Sequence, residues 1–217
     1  MSFLPLTLGV GRISGAGGGG FGPLSKSEAE KILKRDGYAC CFCGFRAVQY
    51  QRIVRMPDGP ATACSFCEQA MSLERASLMG GGILIWLPEI TQAELNHILR
   101  AIYVARACAD GAMTEAANRA LDALTARRAE AKKRLGSDEP FFLATVLQEN
   151  MTDGEYAAAC AKLEGIRFLA PDRHMVHGRN GDFDGFPQIV QFWRSAQGPF
   201  ADASPSEWQA LFAKVSA

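Results

Sequence analysis

The sequence predicts an α+β fold, with a small cysteine-centred ββα unit embedded in a mostly helical body. Three observations predict it. Two matched CxxC pairs, Cys40/Cys43 and Cys64/Cys67, bracket "RAVQYQRIVRM", which alternates well enough for a strand or hairpin. The stretch after the second pair, "EQAMSLERA", has a helical pattern. The second half of the 217 residues is a succession of helix starts marked by capping residues.

In chain order, the glycine run Ser14 to Pro23 contains a formal GxGxxG at Gly15, Gly17 and Gly20. A dinucleotide fingerprint needs a buried strand before it and a helix opening inside it; here Pro23 and "SKSE" follow, and a connector is the expectation. Ser25 or Ser27 can cap a short helix with Ile32 and Leu33 on its inner face and Gly37 at its end. "PDGPA" is turn chemistry between the cysteine pairs, and "GGGILIWLP" is a buried strand entered through glycines. Thr91 and Glu94 form a capping-box pattern before a helix whose Leu95, Ile98, Leu99, Ile102 and Ala105 share a face. One helix with Leu121, Leu124 and Leu135 runs to Gly136 and ends in a basic turn that suits its dipole. Asp138, Thr152 with Glu155, and Ser204 with Glu207 start three more.

An apolar fraction of 48%, a charged fraction of 21% and zero formal net charge describe an ordinary soluble globular chain. The charge balance argues against sequence-independent attraction to nucleic acid, so nucleic acid is not the expected partner. No apolar run approaches the ~18 residues of a membrane span. The N-terminus lacks the basic start and continuous apolar centre of a secretion signal, which points to a reducing, cytoplasmic setting for the seven cysteines.

Cys40, Cys43, Cys64 and Cys67 give C-x2-C-x20-C-x2-C. Four thiolates satisfy a tetrahedral Zn²⁺ ion, and each CxxC turn brings its two sulfurs to one side. A closed four-sulfur shell leaves no place for water or substrate, so the expected cofactor is one structural zinc. Iron in the same cage is the alternative metal. A thioredoxin-like dithiol needs one CxxC at a helix N-terminus rather than two matched pairs. Cys41 is a bystander by spacing, and Cys108 and Cys160 are expected as buried packing residues.

Two CxxC pairs flanking a strand and followed by a helix resemble the scaffold of HNH-type nucleases. In that family a histidine between the pairs activates water, and further His, Asn or Asp side chains hold a divalent ion. Here no histidine occurs from Met1 to Asn96, the general-base region reads "QYQRIV", and Glu68 follows the last cysteine. No catalytic residue is therefore assigned. His97 has a surface or interhelix role by default. His174 and His177 form an HxxH with Asp182 and Asp184 nearby, a possible metal corner for which a solvated loop is the plainer reading. The basic cluster Arg127, Arg128, Lys132, Lys133 and Arg134 is a solvated helix face or a surface for an acidic partner.

"KILKRDGYACCFCGFRAVQYQ", "TACSFCEQ" and "GGGILIWLPEITQAELNHIL" together resemble the DotN/IcmJ family of Dot/Icm-type type IVB secretion systems. The resemblance implies an HNH-like zinc-centred ββα unit that has kept its metal and lost its nuclease residues, with the family's zinc cysteines at Cys40, Cys43, Cys64 and Cys67. The sequence is expected to divide into a Gly-rich N-terminal arm over 1–24, which departs from the family's pattern, an HNH-like zinc-binding unit over 25–110 and a helical part over 111–217 packed on it as one globule. The resemblance further implies a non-catalytic adaptor in the coupling-protein complex, binding the coupling ATPase (DotL-like) and its associated adaptors. Such a subunit would be cytoplasmic, peripheral to the inner membrane through its partners and without direct membrane insertion. The rival readings are an active HNH-type endonuclease and a zinc-finger nucleic-acid-binding protein. Aromatic residues of the right character for docking a partner are Phe45, Tyr50, Trp86, Phe192, Trp193 and Trp208. One of the adjacent pair Phe192 and Trp193 is the leading candidate, since a helix cannot bury both on one narrow face.

Overall fold

A Ser25–Glu28 capping box opens the first helix, α1 (Lys26–Arg35), and Ile32 is its buried contact. The computed structural model describes residues 3–10, 24–76, 78–108, 110–148, 151–178 and 181–201. After α1 the chain makes a compact loop and then an antiparallel hairpin, β1 (Gln51–Met56) and β2 (Gly59–Cys64), which turns at Pro57 and Asp58. Asp36 ties α1 to this hairpin by accepting from the Thr62 amide, and Arg35 donates to the Pro60 carbonyl. Helix α2 (Ser65–Met71) follows β2 without a linker, and residues 73–75 add a 3-10 turn. The helix therefore begins earlier than "EQAMSLERA" suggests and takes Cys67 into its first turn.

The expected buried strand is β3 (Ile83–Trp86), and it pairs antiparallel with β4 (Ile166–Leu169), a strand within the half expected to be helical. β3 places Leu84 and Ile85 in the core, and β4 places Ile166 and Phe168 there. The other edge of β3 is also occupied: the Leu84 amide donates to the Asp138 carbonyl and the Trp86 amide to the Arg127 carbonyl. An edge so covered offers no strand-pairing template.

The Thr91–Glu94 capping box starts α3 (Gln92–Arg106) as expected. Leu95, Leu99, Ile102 and Ala105 are buried, but Ile98 is 41% exposed. The buried arc is rotated away from Ile98 because Gln92, Asn96 and Arg100 occupy part of the inner face.

The single helix expected up to Gly136 is two helices, α4 (Gly111–Ala126) and α5 (Arg128–Leu135). The break falls at Arg127, whose carbonyl is used by the Trp86 amide and whose side chain pairs with Glu89. Asp138 does not cap the next helix, α6 (Pro140–Gln148); its carboxylate is drawn to Arg128 instead. A Thr152–Glu155 capping box starts α7 (Asp153–Ala161).

"RHMVHGRNGDFDGF" forms a hairpin, β5 (Met175–Gly178) with β6 (Gly181–Asp184), rather than a solvated loop. The Asp184 carboxylate accepts from the His174 and Phe186 amides and so joins this hairpin to α8 (Phe186–Trp193). Both Phe192 and Trp193 are buried, which corrects the expectation for that pair. They reach different neighbours: Trp193 meets the edges of Phe45, Phe66 and Phe186, while Phe192 tilts against Tyr50.

The architecture is thus α+β: eight helices and three two-stranded antiparallel sheets among the described residues. One continuous buried cluster runs from Leu8 through the cysteines, β3, α3 and β4 to Trp193. The N-terminal residues 3–10 lie against the cysteine loop and α2, with the Leu4 amide donating to Cys41, Gly9 to Ala70, and Leu73 to Gly9. The glycine run, the helix expected after Ser204, and Trp208 lie outside the described residues. Among the described residues no helix is long and apolar enough to cross a membrane.

Candidate metal centre

The first cysteine pair sits in a loop bent back on itself by short-range hydrogen bonds. The Gly44 amide donates to the Cys40 carbonyl at 2.9 Å, and the Cys40 amide to the Phe45 carbonyl at 2.9 Å. Gly44 has φ +74°, a left-handed turn that side chains rarely adopt, and a Cβ there would collide with the Phe3 ring. Tyr38 and Tyr50, at the two ends of the loop, also take left-handed φ values. Gln51 braces them, its amide nitrogen donating to the Tyr38 and Phe45 carbonyls. The second pair is placed differently, with Cys64 as the last residue of β2 and Cys67 in the first turn of α2.

These elements converge. The sulfurs of Cys40, Cys43, Cys64 and Cys67 all lie within 4.8 Å of one another, and all four residues are buried. Cys43 Sγ and Cys64 Sγ are 3.8 Å apart. That is far beyond the ~2.05 Å of a disulfide. It matches the edge of a tetrahedron of sulfurs held by metal bonds of about 2.3 Å, roughly 3.8 Å. The donor set fits one tetrahedral metal ion. Burial raises the Cys64 thiol, but hydrogen bonds from Cys40, Cys43 and Cys67 and the charge of Arg100 more than offset it. The result lies well below the ordinary thiol value. Among the described residues no second cluster of metal-ligating side chains occurs. Cys41 stays outside the cage, and Cys108 and Cys160 are half-buried rather than fully buried.

What the sequence reading missed is the role of α3. Gln92, Asn96 and Arg100 recur every fourth residue and form a buried polar line that ends on the sulfurs. Gln92 exchanges hydrogen bonds with the backbone of Phe168 on β4 and donates to Asn96 Oδ1. Asn96 donates to Cys67 Sγ at 3.3 Å. Arg100 donates to Cys64 Sγ at 2.6 Å, with Cys43 Sγ at 3.8 Å. His97 Nε2 donates to the Cys43 carbonyl at 2.7 Å, a more specific role than a default surface position. The available signal was the i, i+4, i+8 spacing of polar residues beside an apolar helical stripe. Such donors orient ligands and moderate their charge.

The other candidates fall elsewhere. His174 is buried against β1, where Arg52 donates to its Nε2 at 3.0 Å and its Nδ1 has no partner. It makes no metal corner with neighbouring acids among the described groups, and the His177 side chain lies outside the described part. Glu68 is buried and pairs with Arg75 at 3.3 Å and more distantly with Arg52. Of the candidate docking aromatics, Tyr50 is exposed, Phe45 is in the core, and Trp86 is covered in part by Arg134. In the basic cluster, Arg127, Arg128 and Arg134 pair with Glu89, Asp138 and Glu130, while Lys132 and Lys133 face solvent.

Over 91 residues the chain is 45% identical to the type 4 apparatus protein DotN of Legionella pneumophila. That similarity supports assignment to the DotN/IcmJ family. The aligned stretch covers 37% of this chain and 42% of DotN, so it spans less than half of the relative's length. No protein-family model matches the chain.

Proposed function

We propose that this chain is a non-catalytic, zinc-containing adaptor subunit of a type IVB (Dot/Icm-like) secretion or conjugation coupling-protein complex, and that it binds the coupling ATPase. The observation that carries the reading is the 45% identity to DotN over 91 residues. The four converging sulfurs support zinc as the resident metal, because an all-thiolate tetrahedral shell suits that ion and is closed to substrate. Cys40, Cys43, Cys64 and Cys67 would hold it. Its contribution would be to lock the loop, the β1–β2 hairpin and α2 into one rigid body. The order hairpin, then helix, around a cysteine cage supports an HNH-like ββα unit within 25–110. The shared buried cluster supports packing of the remainder on that unit as one globule.

The engagement of the polar groups near the cage supports a non-catalytic role. Glu68, a conceivable base, is held between Arg52 and Arg75, and Gln51 is spent on backbone carbonyls. One observation favours the nuclease alternative: His174 reaches β1 from far along the chain. The experiment is a pull-down of the coupling ATPase from the native lysate, with elemental analysis and a plasmid-nicking assay in Mg²⁺, Mn²⁺ or Ni²⁺ on the same preparation. The expected result is co-purification, one zinc per chain and no nicking. Divalent-dependent nicking that disappears in Glu68→Gln, Gln51→Ala or His174→Gln overturns the reading.

A further inference from the structure

Arg100 is only 1% exposed, yet it carries a guanidinium that stays charged at every physiological pH. Its partners among the described residues are two sulfurs and two aromatic faces. Nη2 donates to Cys64 Sγ, with Cys43 Sγ further off. The guanidinium carbon lies 4.0 Å from the centre of the Phe45 ring and 5.2 Å from that of Phe66. Nε and Nη1 are buried without hydrogen-bond partners. A buried cation in this state is strongly destabilising unless a large negative charge sits beside it. Four neutral thiols do not supply that charge, and a lone thiolate at Cys64 would match it only one for one. Four thiolates around a divalent ion supply it, because the assembly is a dianion.

From this geometry we infer that Arg100 is the counter-cation of the metal centre. It offsets half of the cage's excess charge, donates directly to Cys64, and keeps the ion from being lost to protons that compete for the thiolates or to chelators. The planar guanidinium suits the task because it stacks on both rings while its edge faces sulfur. An ammonium would supply the charge without the stacking. Arg100 is thus a positioning residue that acts through Cys64 and Cys43. The inference rests on the zinc reading above and deepens it.

The test measures zinc content and the rate of zinc transfer to a chromogenic chelator in four full-length proteins: wild type, Arg100→Lys, Arg100→Met, and Arg100→Met combined with Cys64→His. The last replaces a thiolate by a neutral imidazole and so lowers the negative charge of the ligand set by one. Wild type is expected to hold one zinc and release it slowly. Arg100→Met is expected to release it about 10- to 100-fold faster, and Arg100→Lys by a smaller factor. The double variant is expected to be slower than Arg100→Met, a rescue that a role in packing alone would not produce. Wild-type release by Arg100→Met, or a double variant no slower than it, overturns the inference. Should Arg100→Met fail to fold, recovery of folded, zinc-loaded double variant supports the charge pairing and its failure refutes it. Zinc-free wild type would overturn the cage reading itself and the counter-cation with it, a failure separable from the others because no substitution is involved.

Discussion

Cys67→Ser is the most informative single substitution, because Cys67 ties together more than the cage. Its sulfur is one of the four converging donors, and it also accepts from Asn96 on α3. Serine preserves the shape but is a poor ligand for a soft, thiolate-preferring site. The cysteine loop, β2 and α2 meet at this point, and Arg100 would be left as a buried cation facing a broken ligand set. Structural zinc contributes about 10–16 kcal/mol at neutral pH. A typical domain is stable by only about 5–15 kcal/mol. On the zinc reading, loss of the ion would therefore remove stability comparable to the whole. For a chain of this size each kcal/mol shifts the melting temperature by roughly 2–4 °C. The expected fall is on the order of 20 °C or more, or loss of the cooperative transition altogether.

Differential scanning fluorimetry and near-ultraviolet circular dichroism check this. The aromatic cluster Phe45, Phe66, Tyr103, Phe186 and Trp193 packs ring to ring beside the cage, so its dichroism should collapse. Far-ultraviolet signal from the helices should persist in part. A Cys67→Ser protein shown by elemental analysis to be metal-free, yet melting within a few degrees of wild type, would refute the reasoning.

Gly82→Ala is expected to destabilise by about 2–4 kcal/mol, through left-handed strain and overpacking together. Gly82 has φ +125°, and its Cβ would meet the Phe168 ring at 2.5 Å. Gly59→Ala, at a similar φ but with open space around it, should cost less, and urea midpoints of the two variants make the comparison. His174→Gln tests pH dependence. Burial, reinforced by the charge of Arg52, holds the His174 pKa below its ordinary value against the pull of Asp184. The unfolded chain thus binds the proton more readily, and the stability present above about pH 6.5 declines as pH falls from there towards the lowered value. Melting temperatures at pH 7.5 and 5.5 should differ less in His174→Gln than in wild type; an equal difference would assign the effect to other groups.

Two capping boxes stand where the sequence placed them, at Thr91–Glu94 and Thr152–Glu155, and of the two candidate caps Ser25 and Ser27 it is Ser25 that caps α1, in a third box with Glu28. Each needs only a side chain and an amide three residues away, so no distant contact can disturb the inference. The cysteine pairs were legible for a similar reason: CxxC spacing sets the bite of two sulfurs locally, and matching the pairs needs only chemistry. The α4–α5 break could not be read, because Arg127 interrupts a good helical pattern to serve an amide on β3, a partner distant in sequence. Strand β4 was equally hidden, since "IRFL" is too short to declare itself until β3 lies beside it.

What the sequence by itself determined is the capped helix starts and the donor chemistry of the four cysteines, since those depend on residues within a turn of one another. Only the tertiary structure decided which residues surround the sulfurs. Asn96 and Arg100 reach Cys67 and Cys64 across 29 and 36 residues of chain. Phe192 and Trp193 are both buried because they meet different parts of the cysteine loop, Trp193 against Phe45 and Phe192 against Tyr50. A buried charge is tolerable only beside its counter-charge, and that pairing comes into being only when the fold closes.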